Sequence, residues 1–287
     1  MPDTAAKPIP GNPVTQTSDQ AIDLAFESHG LRIGIQFGDA PELAERVDFL
    51  PPGATPVAPV NLDRVYSIAR LEESRSPLTR AGLHILADGE LPEFTGSYRD
   101  PERTLTALED QIERYVAEFS VEHLFVHAGV VSWRGRAIVI PGRSHAGKST
   151  LVRGLVHAGA TYYSDEFAVL DWQGMVHPYQ RKLSLRAGPY GPTGRIEMRE
   201  DREQSLPPVP VGLVALLTYR SDSPWEIETI TGAAAIMAMC DHTLAIRRRP
   251  ADTFAILGAV EREATVIQGT RDEAEQAISR LQSLIDG

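Results

Sequence analysis

Between Arg136 and Ala158 the chain reads RAIVIPGRSHAGKSTLVRGLVHA, an apolar run, a turn punctuated by glycines and an amphipathic stretch. Within it, Gly142-Arg143-Ser144-His145-Ala146-Gly147-Lys148-Ser149 matches G-x-x-x-x-G-K-[ST] at every position, the phosphate-loop signature. Such a turn needs a strand before it and a helix after it. Ala137–Ile140 is β-rich, and Leu151, Val152, Leu155 and Val156 form a helical stripe. Gly142 and Gly147 let the backbone curl so that its N–H groups face inward as an anion nest. The positive end of the helix starting near Lys148 adds to that nest. Lys148 is placed to reach the β- and γ-phosphates, and the Ser149 hydroxyl to ligate Mg²⁺. ATP with Mg²⁺ is the expected ligand, contacted by Gly142, Arg143, Ser144, His145, Ala146, Gly147, Lys148, Ser149 and Thr150; His145 contributes through its backbone.

The 287 residues suffice for one large domain or two small ones, and a hydrophobic fraction of 42% supports a packed core. A formal charge of −11 argues against nucleic acid and an anionic membrane as partners. Cys240 is the single cysteine, so no disulfide or thiolate cluster forms within the chain, as suits a reducing compartment. The N-terminus carries no apolar signal core and no run of about eighteen apolar residues occurs. A cytoplasmic location without membrane insertion is therefore expected.

Met1–Asp19 is Pro-, Thr- and Ala-rich without periodicity and reads as a flexible tail. Ile22–Glu27 and Leu31–Phe37 predict a hairpin around Ser28-His29-Gly30. Pro41–Phe49 predicts a short helix with Leu43, Val47 and Leu50 on one side, and Pro51–Pro59 a loop. Val65–Arg70 and Leu83–Ala87 are further strands. Asp100-Pro101-Glu102 is a helix start, and Leu105, Leu108, Ile112, Tyr115, Val116 and Phe119 continue at helical spacing to Ser120. This helix is expected to pack on the sheet that follows. His123–Ser132 and Arg136–Pro141 form a hairpin into the glycine turn. Thr161–Ser164 is a strand delivering Asp165 and Glu166, and Phe167–Asp171 with Met175–Tyr179 another hairpin. Ala187–Pro210 reads as a long mobile loop, and Val211–Tyr219 as a strand buried on both faces. Ala233–Cys240 and Ala251–Glu263 favour helices, Ala264–Gln268 a strand and Asp272–Ile285 a terminal helix.

Asp165 lies seventeen positions after Lys148, an interval filled by one helix, one turn and one short strand. On a strand beside the glycine turn it stands near the γ-phosphate, able to hold Mg²⁺ or to accept a proton from an attacking hydroxyl. Adjacent acids on a strand face opposite ways; an irregular strand end relaxes this, so one or both of Asp165 and Glu166 serve. His127, inside an apolar strand one hairpin earlier, is either a structural residue or a partner of these acids. Arg186 is a candidate to neutralise charge on a transferred phosphate. Arg195 and Arg199 fall in the predicted loop, and Arg247-Arg248-Arg249 reads as a solvated helix end.

Together these residues resemble the HPr serine kinase/phosphorylase family. The resemblance covers roughly Phe125–Arg186 and rests on Val126-His127-Ala128-Gly129-Val130-Val131, on Gly142–Ser149 and on Ser164-Asp165-Glu166. It implies an ATP-dependent kinase on a P-loop core related to phosphoenolpyruvate carboxykinase. Asp165 would be the base toward a substrate hydroxyl, Glu166 with Ser149 would serve the metal, and His127 would support the acids. Two departures stand out: Glu166 replaces the family's second aspartate, and Leu185-Arg186-Ala187-Gly188 only partly echoes its Glu-x-x-Gly signature. The chain is closer to divergent HPr-kinase-like proteins, some of which resemble kinases of ribosomal peptide precursors.

The expected fold is α/β, a P-loop kinase core of the HPr kinase/phosphoenolpyruvate carboxykinase type (100–287) after a flexible tail (1–19) and a β-rich accessory domain (20–99). The expected acceptor is a Ser or Thr hydroxyl on a small protein or peptide, with self-association left open. A small-molecule kinase of the shikimate-kinase type and a nucleotide-gated binding module without transfer remain alternatives.

Overall fold

The computed structural model of the chain describes residues 21–38, 40–47, 50–71, 82–88, 93–98, 100–142, 147–180, 183–186, 193–196, 206–221 and 223–287. The predicted tail and most of the predicted 187–210 loop lie outside these residues. The chain divides into two units, Met1–Glu122 and His123–Gly287.

In the first unit, β1 (Leu24–Ser28) and β2 (Leu31–Gln36) pair as the predicted hairpin. Its two linking residues, His29 and Gly30, both have positive φ (50° and 80°), the handedness that matches a two-residue turn to the strand twist. β3 (Thr55–Pro56), β4 (Arg64–Leu71), β5 (Gly82–Asp88) and β6 (Glu93–Tyr98) complete a sheet of order β3-β1-β2-β4-β5-β6. Helix α1 (Pro101–Phe119) starts at Asp100, whose carboxylate accepts from the Glu102 N–H at 3.1 Å, the predicted cap. Its buried stripe, Leu105, Leu108, Ile112 and Val116, packs over β5 and β6. The sequence reading set this helix against the sheet that follows, within the P-loop domain; its contacts group it with the sheet that precedes it. Pro41–Arg46 is a 3-10 helix that buries Leu43, while Leu50 is 38% exposed, so the short helix expected there forms in part and without Leu50 on its buried side. Strand β6 was not anticipated.

The second unit runs β7 (Leu124–Trp133), β8 (Arg136–Pro141), α2 (Lys148–His157), β9 (Thr161–Ser164), β10 (Phe167–Leu170), β11 (Met175–His177), β12 (Leu183–Arg186), β13 (Thr193–Ile196), β14 (Val209–Tyr219), β15 (Glu226–Thr229), α3 (Gly232–Cys240), α4 (Pro250–Glu263), β16 (Thr265–Arg271) and α5 (Ala274–Asp286). The main sheet has the order β11-β10-β7-β8-β14-β16-β15, with β9 on β7. β8, β14 and β16 are parallel neighbours. β11 also pairs with β14 through Met175↔Pro210 and Val176↔Val209, so β14, β8, β7, β10 and β11 close into a circuit. β12 and β13 form a separate two-stranded ribbon, so two strands and the start of β14 occupy parts of the stretch around the predicted loop.

The pleat sorts the core into two layers, because alternate strand residues face opposite sides. Val126, Ala128, Val130, Ala137, Val139 and Val214 pack with Ala235, Met239, Ile256 and Leu257 of α3 and α4. Val131, Ile138, Ile140, Leu213, Ala215 and Ile267 pack with Leu151, Val152 and Leu155 of α2 and with Ala277 and Leu281 of α5. Val209–Tyr219 is buried through most of its length, as its apolar run requires. The fold is thus α/β, with the sheet between helix pairs.

Candidate functional site

Gly129 on β7 allows the start of α2 to approach. A Cβ there would lie 2.6 Å from Val152 Cγ2 and 3.7 Å from Lys148 Cβ, so any larger residue would lift the helix from the strand. His127, two positions earlier and hence on the same face, emerges beyond the end of α2. Its backbone is held on both sides: its N–H donates to His242 O at 2.8 Å, and its carbonyl accepts from Gly142 N at 3.3 Å. Phe125, Phe167 and Tyr179 meet edge to face, with centroids 5.7–5.8 Å apart, and Phe167 lies 6.2 Å from the His127 ring. A rigid aromatic cluster therefore backs the histidine.

Gly147 precedes α2 with φ +78°, a left-handed conformation glycine takes without strain. Lys148 follows it, and its side chain turns inward. Nζ donates to Gly142 O at 2.8 Å and lies 3.2 Å from His127 Nε2. The residue is only 7% exposed. Burial pushes the ammonium below its ordinary value of 10.5, against the pull of Glu166 and Asp165.

β9 and β10 both run along β7, pairing Ser164 with Val130 and Phe167 with His127. Asp165 and Glu166 span the break between them. The Ser164 hydroxyl accepts from the N–H groups of Glu166 (3.2 Å) and Phe167 (3.0 Å), and the Glu166 carbonyl accepts from Ala128 N at 3.0 Å. This break lets both acids reach the same site despite their adjacency. Asp165 is 4% exposed; its Oδ1 accepts from the Tyr162 hydroxyl at 3.0 Å and its Oδ2 lies 3.4 Å from Ser149 Oγ. Glu166 Oε1 lies 3.4 Å from His127 Nε2.

Two chains of contact thus meet at the start of α2, Tyr162–Asp165–Ser149 and Glu166–His127–Lys148. They bring together six of the sequence candidates: His127, Gly142, Lys148, Ser149, Asp165 and Glu166. Thr150 lies exposed on the first turn of α2. Arg143, Ser144, His145 and Ala146 lie outside the described residues, as does Arg199. The backbone of Arg186 ends β12, beside α2, and that of Arg195 lies in β13; their side chains are outside the described set. Arg249 bonds Asp252 at 2.7 Å and lies 5.8 Å from the Trp172 ring, at the start of α4, as expected of a helix terminus.

Tyr162 and Arg271, whose Nη2 lies 3.4 Å from Gly147 O, were missed in the sequence, and Ser164 was singled out only as part of the resemblance, without a role. Tyr162 gives no signal, being one aromatic in a short strand. Ser164 could have been found as a hydroxyl placed to bond N–H groups two and three residues on. Arg271 could have been found by asking which residues end the parallel strands, where ligands of such sheets bind.

The donor set suits a hard cation. A hydroxyl and two carboxylates supply oxygen, and Mg²⁺ is commonly held by one or two carboxylates together with substrate phosphates. Among the described residues no group of three or more His, Cys, Asp and Glu side chains could hold a metal unaided. No described helix is long and apolar enough to cross a membrane. Comparison with protein-family models, curated proteins and solved structures finds no match to this chain.

Proposed function

We propose that the chain is an ATP-dependent kinase resembling HPr serine kinase, transferring the γ-phosphoryl group to a Ser or Thr hydroxyl of a small protein or peptide. One observation carries the reading: a buried carboxylate, Asp165, stands against the Ser149 hydroxyl beside the inward-turned Lys148 at the start of α2.

In this reading Lys148 and the N-terminal amides of α2 bind the nucleotide phosphates. Ser149 with Asp165 or Glu166 would hold Mg²⁺, which neutralises charge on the transferring group. Asp165 takes the proton of the acceptor hydroxyl as its oxygen bonds to Pγ and the bridge to ADP breaks. Tyr162 fixes the Asp165 carboxylate. His127 stands between Glu166 and Lys148, 3.4 Å and 3.2 Å from them, and spaces that carboxylate from the ammonium. Glu166 and Asp165 favour the charged form of Lys148, against the burial that lowers its basicity.

The test is incubation with γ-labelled ATP, Mg²⁺ and host lysate, then identification of the labelled species. The expected result is label on Ser or Thr of one small protein or peptide, lost in Lys148→Ala and Asp165→Asn. Label on a small metabolite would replace the acceptor with that of a small-molecule kinase. Nucleotide binding without transfer would reduce the chain to a nucleotide-gated module.

A further inference from the structure

Arg271 ends β16 and is 3% exposed, although arginine is among the residues least often fully buried. Its Nη1 donates to Asp272 O at 2.9 Å and its Nη2 lies 3.4 Å from Gly147 O. The guanidinium carbon is 5.2 Å from the Tyr219 ring centroid, at the end of β14. A Cβ on Gly147 would fall 2.4 Å from Nη2. The guanidinium therefore occupies the space where any other residue at 147 would carry its side chain.

The placement follows from topology. β8, β14 and β16 are parallel, so the segments leaving their carboxyl ends share one edge of the sheet, the edge where ligands of such sheets bind. Lys148 is engaged on the β7 side, by His127 and Gly142 O. Arg271 approaches from β16. Gly147 O also accepts the first helical bond of α2, from Leu151 N at 3.2 Å. The arginine thus grips the peptide that sets the direction of the first amides of the helix. Guanidinium keeps its charge even when burial opposes it.

We infer that Arg271 is a positioning residue and the second cation of the phosphate site, holding Gly147 in its left-handed conformation and placing positive charge across the helix end from Lys148. The inference rests on the nucleotide-binding part of the proposed function. Its ligand class is a polyphosphate, recognised by charge and by backbone amides. Burial lowers the guanidinium's ordinary basicity, opposed by Tyr219, Glu273 and Asp272, in keeping with a charge confined beside the turn.

The test is calorimetric titration of the full chain with ATP–Mg²⁺ and with inorganic tripolyphosphate. Arg271→Gln is expected to weaken both about tenfold, the loss of one buried charge-assisted contact. Turnover at saturating ATP is expected to fall less than the affinity does, because the interaction is shared by ground and transition states. Arg271→Lys is expected to recover part of the affinity, having the charge without the fork. A lower melting temperature in Arg271→Gln with unchanged affinity would make the residue purely structural and overturn the inference. If Arg271→Gln does not fold, hydrogen exchange on the wild type decides. Tripolyphosphate should slow amides at 270–273 together with those at 148–151, and protection of 148–151 alone would overturn it. Wild type that binds neither ligand would sink the nucleotide reading itself; binding without transfer would remove the kinase step and leave Arg271 in place.

Discussion

Lys148 is a charged group placed where charge is expensive, and its pH dependence exposes that. Its folded ammonium loses the proton more readily than the unfolded one, whose ordinary value is 10.5. Below 10.5 the unfolded chain therefore holds more protons, and stability rises with pH through the window between the lowered folded value and 10.5. Lys148→Met removes this dependence. The difference in unfolding free energy between wild type and Lys148→Met should climb as pH rises toward 10.5; a flat difference, measured by denaturant titration at several pH values, would show that the ammonium is not held as described. Gly147 is the companion case. An alanine there meets both a φ of +78° and the Arg271 guanidinium, so Gly147→Ala should lose about 1–3 kcal/mol in denaturant titration. Phosphate affinity should fall with it.

Helix α2 rests on a glycine at each end, and the two ends do different things. Gly129 lies beneath its start, where a Cβ meets Val152; Gly154 lies toward its far end, where a Cβ would stand 2.3 Å from Ile278 Cδ1 of α5. Alanine at either position should destabilise by about 1–3 kcal/mol through overpacking. Only Gly129→Ala should also weaken ATP binding, because it alone displaces the turn that carries Lys148 and Ser149. Equal affinity in the two variants would separate helix seating from the site. Elements of this kind were legible in the sequence. The strand before Gly142 and the helix that starts at Lys148 declared themselves by spacing, and α1 by its cap and stripe. What α1 packs on was not legible, since an apolar stripe states that a face is buried and not by which sheet. The convergence of Asp165 and Glu166 was only half legible, as one of two outcomes left open by an irregular strand end. Strand alternation predicts that they diverge, and the break held by Ser164 decides otherwise. Arg271 escaped because its role comes from a contact with Gly147, 124 positions away.

At the scale of the molecule, the site residues described all belong to the 123–287 unit, between two apolar layers that continue into α2 and α5 on one side and α3 and α4 on the other. A ligand that binds only the folded state stabilises it by about 2.7 kcal/mol at a hundred times its Kd. With ATP–Mg²⁺ the gain should appear in hydrogen exchange of Ile138, Ile140 and Leu213, the strand residues beneath α2. Protection that stays within the first unit would place the nucleotide elsewhere. The charge of −11 gives a second check. Duplex DNA should fail to retain the chain at about 0.15 M salt, where like charges are screened only beyond about 8 Å.

The closed circuit of β14, β8, β7, β10 and β11 is a hoop, and a hoop survives one cut. The glycine turn hangs from β8 and the acid pair from the β9–β10 break, so each is tied to the other by two arcs, one through β7 and one through β11 and β14. A nick at Trp172-Gln173-Gly174 would sever the chain between the acids and everything that follows them. Backbone bonds on the remaining arcs would still clasp the two pieces. The glycine turn and the acid pair lie together before the nick, and β14, which follows it, is held by both β8 and β11, a redundancy that an open sheet with the same residues would lack.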